Sequence, residues 1–198
     1  MRISPIFARK DNLFMKIMFA SDIHGDIVGA QKMIDAANRE QVKKIVLLGD
    51  ILYFGPRNTL KESYNPQAVI KLLNENKNML LCVRGNCDSE VDQMVLDFPI
   101  MADYAYLCVD GINMLLTHGH KISKETATNL KGGEILVHGH THVLCIENFG
   151  DGNIYINPGS TTYPKENNPP SYMIYEDGVF QIKHLDNGEV LKRIDLNK

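Results

Sequence analysis

Short apolar runs, each closed by a glycine- or charge-bearing turn, set the rhythm of this chain. Residues Met15 to Ala20 (MKIMFA) read as a buried strand, as do Lys44 to Leu48 (KIVLL) and Asn78 to Val83 (NMLLCV). Between the first two, Ile27, Ala30, Ile34 and Ala37 recur at helical spacing, which predicts a helix from Asp26 to Arg39. Strand, helix, strand implies a parallel pair joined by a right-handed crossover. Tyr53 to Asn65 is polar, carries Gly55-Pro56-Arg57-Asn58, and reads as a loop. Pro66 then opens a second helix at its first turn, running to Asn74 through Val69, Ile70, Leu72 and Leu73.

Beyond Phe98 the pattern changes from helical to hairpin-like. Tyr104 to Val109 and Ile112 to Thr117 flank Asp110-Gly111, the strongest local hairpin signal in the chain. Glu134 to Val137, Val143 to Glu147, Ile154 to Ile156, Ser171 to Tyr175, Val179 to His184 and Val190 to Ile194 read as further strands. An α/β front half and a hairpin-rich back half fit two sheets packed face to face, with helices on the outer faces. Residues 1–14 are mixed in character and contain Pro5, so they read as an N-terminal extension to a single domain over 15–198.

Composition narrows the field. A length of 198 residues favours one domain, and a net charge of -3 gives no strong nucleic-acid signal. No apolar run is long enough to span a bilayer, and no secretory signal is evident, so a reducing cytoplasm is the expected compartment. No two of Cys82, Cys87, Cys108 and Cys145 have C-x-x-C spacing, which argues against a thiolate zinc knuckle or a thioredoxin-like motif. Cys82, Cys108 and Cys145 sit in strand-like runs and read as small buried thiols.

The chemistry lies in five polar motifs, each following an apolar strand: Ser21-Asp22-Ile23-His24-Gly25, Gly49-Asp50, Gly85-Asn86-Cys87-Asp88, Thr117-His118-Gly119-His120 and Gly139-His140-Thr141-His142. Taken singly, each is ordinary turn chemistry. Together they would converge outside the carboxyl ends of the strands, where open α/β sheets build their sites. Asp, His and Asn offer mixed oxygen and nitrogen ligation, suited to Mn, Fe, Zn, Co or Ni. Asp22/His24 and His140/His142 are each two apart, so on an extended backbone both members point the same way.

The order D-x-H, G-D, G-N-x-D, H-G-H, G-H-x-H resembles the calcineurin-like metallophosphoesterase superfamily. Asn157-Pro158-Gly159-Ser160 also fits its small bacterial and archaeal branch, and Gly55-Pro56-Arg57-Asn58 with Gly85-Asn86-Cys87-Asp88 is similar to the YfcE-type phosphodiesterases. The resemblance runs from Met15 onward and implies a four-layer α/β/β/α sandwich of two mixed sheets. It implies two divalent metal ions, manganese foremost: Asp22, His24 and His142 on the first, Asn86, His118 and His140 on the second, and Asp50 bridging them. It implies hydrolysis of small phosphodiesters by a metal-activated hydroxide, and a homodimer or homotetramer. A phosphomonoesterase or pyrophosphatase of the same fold, or a metal-binding interaction scaffold, is the alternative. His138 and His184 match no ligand position, and His120 is a candidate for orienting a ligand or phosphate. Many members have His where this chain has Cys87; the thiol is read either as a weak proton donor or as a space-filler, and Asp88 of the same motif is a further catalytic candidate. Arg57 is a candidate phosphate contact.

Overall fold

The computed structural model describes residues 15–127 and 130–197; the extension expected over 1–14 lies outside them. The element order is β1 (Ile17–Ala20), α1 (Ile27–Glu40), β2 (Lys44–Leu47), α2 (Pro66–Glu75), β3 (Leu80–Cys82), α3 (Glu90–Gln93), β4 (Tyr104–Val109), β5 (Ile112–Thr117), β6 (Ile135–Val137), β7 (Cys145–Phe149), β8 (Asn153–Asn157), β9 (Ser171–Glu176), β10 (Val179–His184) and β11 (Val190–Asp195). One mixed sheet runs β11-β10-β9-β1-β2-β3 and the other β4-β5-β6-β8-β7. β1, β2 and β3 are parallel, as are β5, β6 and β8.

Side-chain alternation along the strands assigns every layer. Met18, Ala20, Ile45 and Leu47 point to one face of the first sheet, where Ala30, Met33 and Ala37 of α1 and Val69 and Leu73 of α2 pack. Their neighbours Ile17, Phe19 and Val46 point to the other face and meet Met114, Leu116, Val137 and Ile156 of the second sheet. The remaining face of the second sheet, Leu115, Leu136 and Tyr155, is covered by Ile122, Ala127 and Leu130. The α/β class with two mixed sheets is the one expected. The outermost layer there is not a regular helix among the described residues. It is a polar segment with one helical turn, Ala127 N–H to Ser123 C=O at 2.8 Å, leading into Gly132-Gly133. Closely spaced polar residues and paired glycines favour turns over a continuous helical stripe.

Local chemistry fixes the ends of the elements. Asp26 caps α1 by accepting from the Gly29 N–H at 2.6 Å, and Asn65 caps α2 ahead of Pro66. Asp110 and Gly111, both at positive φ, close the β4–β5 hairpin where their pairing predicts. Of the cysteines read as buried, Cys82 is buried, Cys145 is half-buried and Cys108 is exposed, because Cys108 lies on the edge strand β4. No helix among the described residues is long and apolar enough to cross a membrane.

Candidate metal centre

The five motifs meet at one edge of the sandwich because the parallel strands end there together. The loop after β1 is stitched to the loop after β2: Asp22 N–H donates to Gly49 C=O at 3.1 Å, His24 N–H to Asp50 C=O at 2.9 Å and Gly25 N–H to Ile51 C=O at 2.7 Å. Asp22, His24, Asp50, His140 and His142 all adopt positive φ, between 52° and 65°. The two-apart pairs therefore converge through left-handed turns rather than along an extended backbone. For non-glycine residues this conformation costs on the order of 1 kcal/mol each and concentrates at functional sites. Glycine is required nearby by close approach: a Cβ on Gly85 would lie 2.1 Å from Asp50 Oδ1.

The side chains gather in two groups with Asp50 between them. His142 Nε2 lies 3.2 Å from Asp22 Oδ1, and His24 Nε2 lies 3.7 Å from that oxygen and 3.4 Å from His142 Nε2. On the other side, His118 Nε2 lies 3.1 Å from Asn86 Oδ1 and 3.2 Å from His140 Nδ1. Asp50 Oδ2 faces both groups, 3.7 Å from His24 Nε2 and 3.4 Å from His118 Nε2. Its Oδ1 accepts the Cys87 N–H at 2.8 Å.

The tautomers show what this set is built to hold. His24, His118 and His142 each donate Nδ1–H to a backbone carbonyl, of Tyr53, Leu48 and Tyr163, at 2.6–2.7 Å. Their Nε2 atoms are thus aimed at one another and at carboxylate oxygens. Asp22 Oδ1 is buried and accepts no hydrogen bond among the described residues. Imidazole nitrogens and carboxylate oxygens this close repel unless a proton or a cation sits among them, so the donors fit divalent metal ions. The electrostatics agree. Burial would raise the Asp22 carboxyl, but the neighbouring imidazoles of His142, His118 and His24 hold it well below the usual range. Burial would lower His118, but Asp50 and Asp22 pull it up to about 9.

Other expected residues take different places. A pocket of about 220 Å³ opens over His24, Asp50, His140 and His142, with Arg57, Cys87 and Lys165 in its walls. Burial and then Asp50 and Asp88 push the Cys87 thiol well above its usual value. Asp88, expected among the catalytic residues, does not line this pocket: its buried carboxylate accepts backbone N–H groups of Gly85, Ile51 and Asp50 at 2.7, 2.8 and 2.9 Å. It braces the two loops that carry Asp50 and Asn86. Burial lifts its carboxyl to about 6 despite those amides. Asp88→Ala is expected to cost about 3 kcal/mol of stability in urea unfolding, since three buried donors lose a charged acceptor; a loss under about 1 kcal/mol would contradict the bracing role.

His120 stands 5.4 Å from the His118 ring, with burial and the His118 charge holding it down to about 4. His138 stacks on Tyr155 at 4.4 Å, and His184 accepts the Asp186 N–H; neither joins the cluster. Three positioning groups escaped the sequence reading. Ser160 Oγ donates to Asp22 C=O and Thr162 Oγ1 to Ile23 C=O, both at 2.9 Å. Asn157 Nδ2 donates to Gly139 C=O at 2.9 Å. The only signal was Asn157-Pro158-Gly159-Ser160, which carried the resemblance but no role. Lys165 had no signal at all.

The family model for the calcineurin-like phosphoesterase superfamily domain matches residues 15–177. The chain is 39% identical over 183 residues to the phosphodiesterase YfcE of Escherichia coli, covering 92% of this chain and 99% of that one. The solved structure of YfcE, a phosphoesterase from E. coli, superposes with a TM-score of 0.89 over 92% of this chain and 100% of that chain. Vps29 of Entamoeba histolytica, solved in complex with zinc, shares the fold at 21% identity, with a TM-score of 0.59 over 92% of this chain and 100% of that one.

Proposed function

The chain belongs to the calcineurin-like phosphoesterase superfamily and is a phosphoesterase, and on that premise we propose that it hydrolyses small phosphodiesters with two divalent cations held by its seven clustered donors. Asp22, His24 and His142 form one ligand group, Asn86, His118 and His140 the other, and Asp50 is shared. The observation that carries this reading is the convergence of the His24, His118 and His142 Nε2 atoms on Asp22 Oδ1 and Asp50 Oδ2. Bound divalent cations supply a nucleophilic water at neutral pH and charge neutralisation at the phosphoryl group. Manganese is the proposed metal, in keeping with a nitrogen and oxygen donor set. Four free cysteines fit a reducing compartment such as the cytoplasm.

The protein's own groups do the positioning. The three backbone carbonyls orient the imidazoles, and Asp50 faces both groups at once. Protein stripped of metal should not hydrolyse bis(p-nitrophenyl) phosphate, and added manganese should restore turnover. Failure to turn over with any of Mn, Fe, Zn, Co and Ni would overturn the proposal.

Cys87 sets a second expectation. Held protonated by burial and by Asp50, its thiol is a poor proton donor to a leaving alkoxide. Rates across a series of aryl and alkyl phosphodiesters should therefore fall steeply as the leaving-group pKa rises. A flat dependence would mean that an efficient general acid is present.

A further inference from the structure

The pocket over the metal centre carries more positive charge than a simple diester can answer. Asp50 is its only carboxylate among the described residues, and that carboxylate is already engaged with His24, His118 and the Cys87 amide. The other charged side chains in its walls, Arg57 and Lys165, are both cationic, and both are exposed. They come from different segments, the loop after β2 and the loop before β9, which both line the opening.

Neither cation is a stray surface charge. Arg57 sits in a turn closed by Asn58, whose Nδ2 donates to Phe54 C=O at 2.6 Å and whose N–H donates to Gly55 C=O at 3.3 Å. Gly55 itself lies against Cys87 Sγ and His24 Cε1. Lys165 donates its backbone N–H to His142 C=O at 3.1 Å, while His142 donates Nδ1–H to Tyr163 C=O. Both cations are therefore carried on backbone anchored directly to the ligand set. Several other exposed cations of the protein are spent in ion pairs: Lys32 with Asp186, Lys77 with Asp97, Lys121 with Asp103. Neither Arg57 nor Lys165 makes an ion pair among the described residues.

With two divalent cations in place, Asp22 and Asp50 return only half of the charge those cations bring. A diester and a hydroxide nucleophile each add one negative charge, which neutralises the centre and leaves Arg57 and Lys165 as the pocket's unanswered positive charge. We propose that Arg57 and Lys165 form a subsite for a second phosphate, so that the preferred substrate is a phosphodiester carrying a further phosphate on one ester arm. This rests on the phosphodiesterase reading and narrows it to a substrate class.

Two arms test it. In the first, the p-nitrophenyl ester of thymidine 5′-phosphate is compared with the same ester bearing a 3′-phosphate, using the manganese-loaded enzyme. The doubly phosphorylated ester should have a kcat/KM at least about tenfold higher at low salt, because a fixed unpaired cation in a pocket favours an added anion. Lys165→Gln and Arg57→Gln should each shrink that ratio, and the double variant should abolish it. Lys131→Gln, an exposed cation outside the pocket, should preserve it. In the second arm, calorimetry compares methylenediphosphonate with methylphosphonate. The advantage of the first over the second should fall in the double variant.

Equal turnover of both esters, or a ratio and a binding advantage that survive the double variant, would overturn the subsite. Turnover of neither ester would instead sink the phosphodiesterase reading. In that case the calorimetric comparison still decides the subsite.

Discussion

Asp50→Asn is expected to lower metal-dependent hydrolysis of bis(p-nitrophenyl) phosphate by about 1,000-fold, the scale of losing a preorganised charge at a reacting centre. The carboxylate uses both oxygens. Oδ1 holds the Cys87 amide at 2.8 Å, and Oδ2 lies between the Nε2 atoms of His24 and His118 at 3.7 and 3.4 Å. An amide of the same shape can keep the contact to Cys87 with its oxygen. It must then place an NH₂ where two imidazoles and two cations need a negative charge. The fold should survive, because the replacement is isosteric and removes a buried charge rather than adding one. Metal content should fall from two per chain towards one, measured by elemental analysis after dialysis. Full metal content with activity within tenfold of the parent would show that Asp50 is not shared between the cations.

The legible part of this protein is the part written in local periodicity. Alternation along Ile17–Ala20 and Lys44–Leu47 divides the two cores without further information, and Asp110-Gly111 fixes its hairpin. The convergence of His24, Asp50, His118 and His142 is also foreshadowed, since each follows a strand that ends at the same edge. What escaped depends on contacts between distant segments. Ser160 grips the Asp22 carbonyl across 138 residues, and no local pattern marks that partnership. Asp88 was read by its motif as facing the chemistry. Its carboxylate instead satisfies three amides in tight loops that would otherwise bury unpaired donors. The left-handed turns at Asp22, His24, His140 and His142 were equally invisible, because Asp and His tolerate many conformations and only the surrounding hydrogen bonds select this one.

Metal removal is expected to lower Tm by about 5–10 °C near pH 8, and the deficit should widen with pH. Cation binding at about one hundred times its dissociation constant contributes about 2.7 kcal/mol. For a chain of this size, each kcal/mol moves Tm by about 2–4 °C. The pH dependence follows from His118. In the stripped protein Asp50 and Asp22 overcome burial and hold it up to about 9, above its ordinary 6.5. A raised imidazole contributes stability that is fully present below pH 6.5 and is lost as pH rises through 9. His120 and His138, held down to about 4 by burial, act in the opposite sense. Their contribution is present above pH 6.5 and is lost as pH falls towards 4. Stripped protein should therefore be most stable near neutrality and weaken on the alkaline side. Metal takes the place of the His118 proton, so its binding strengthens as pH rises and removes that alkaline decline. Scanning calorimetry with manganese and with chelator, from pH 6.5 to 9, reads both curves at once. A Tm gain from manganese that stays flat or shrinks over that range would mean that His118 is not among the atoms that give up a proton to the metal.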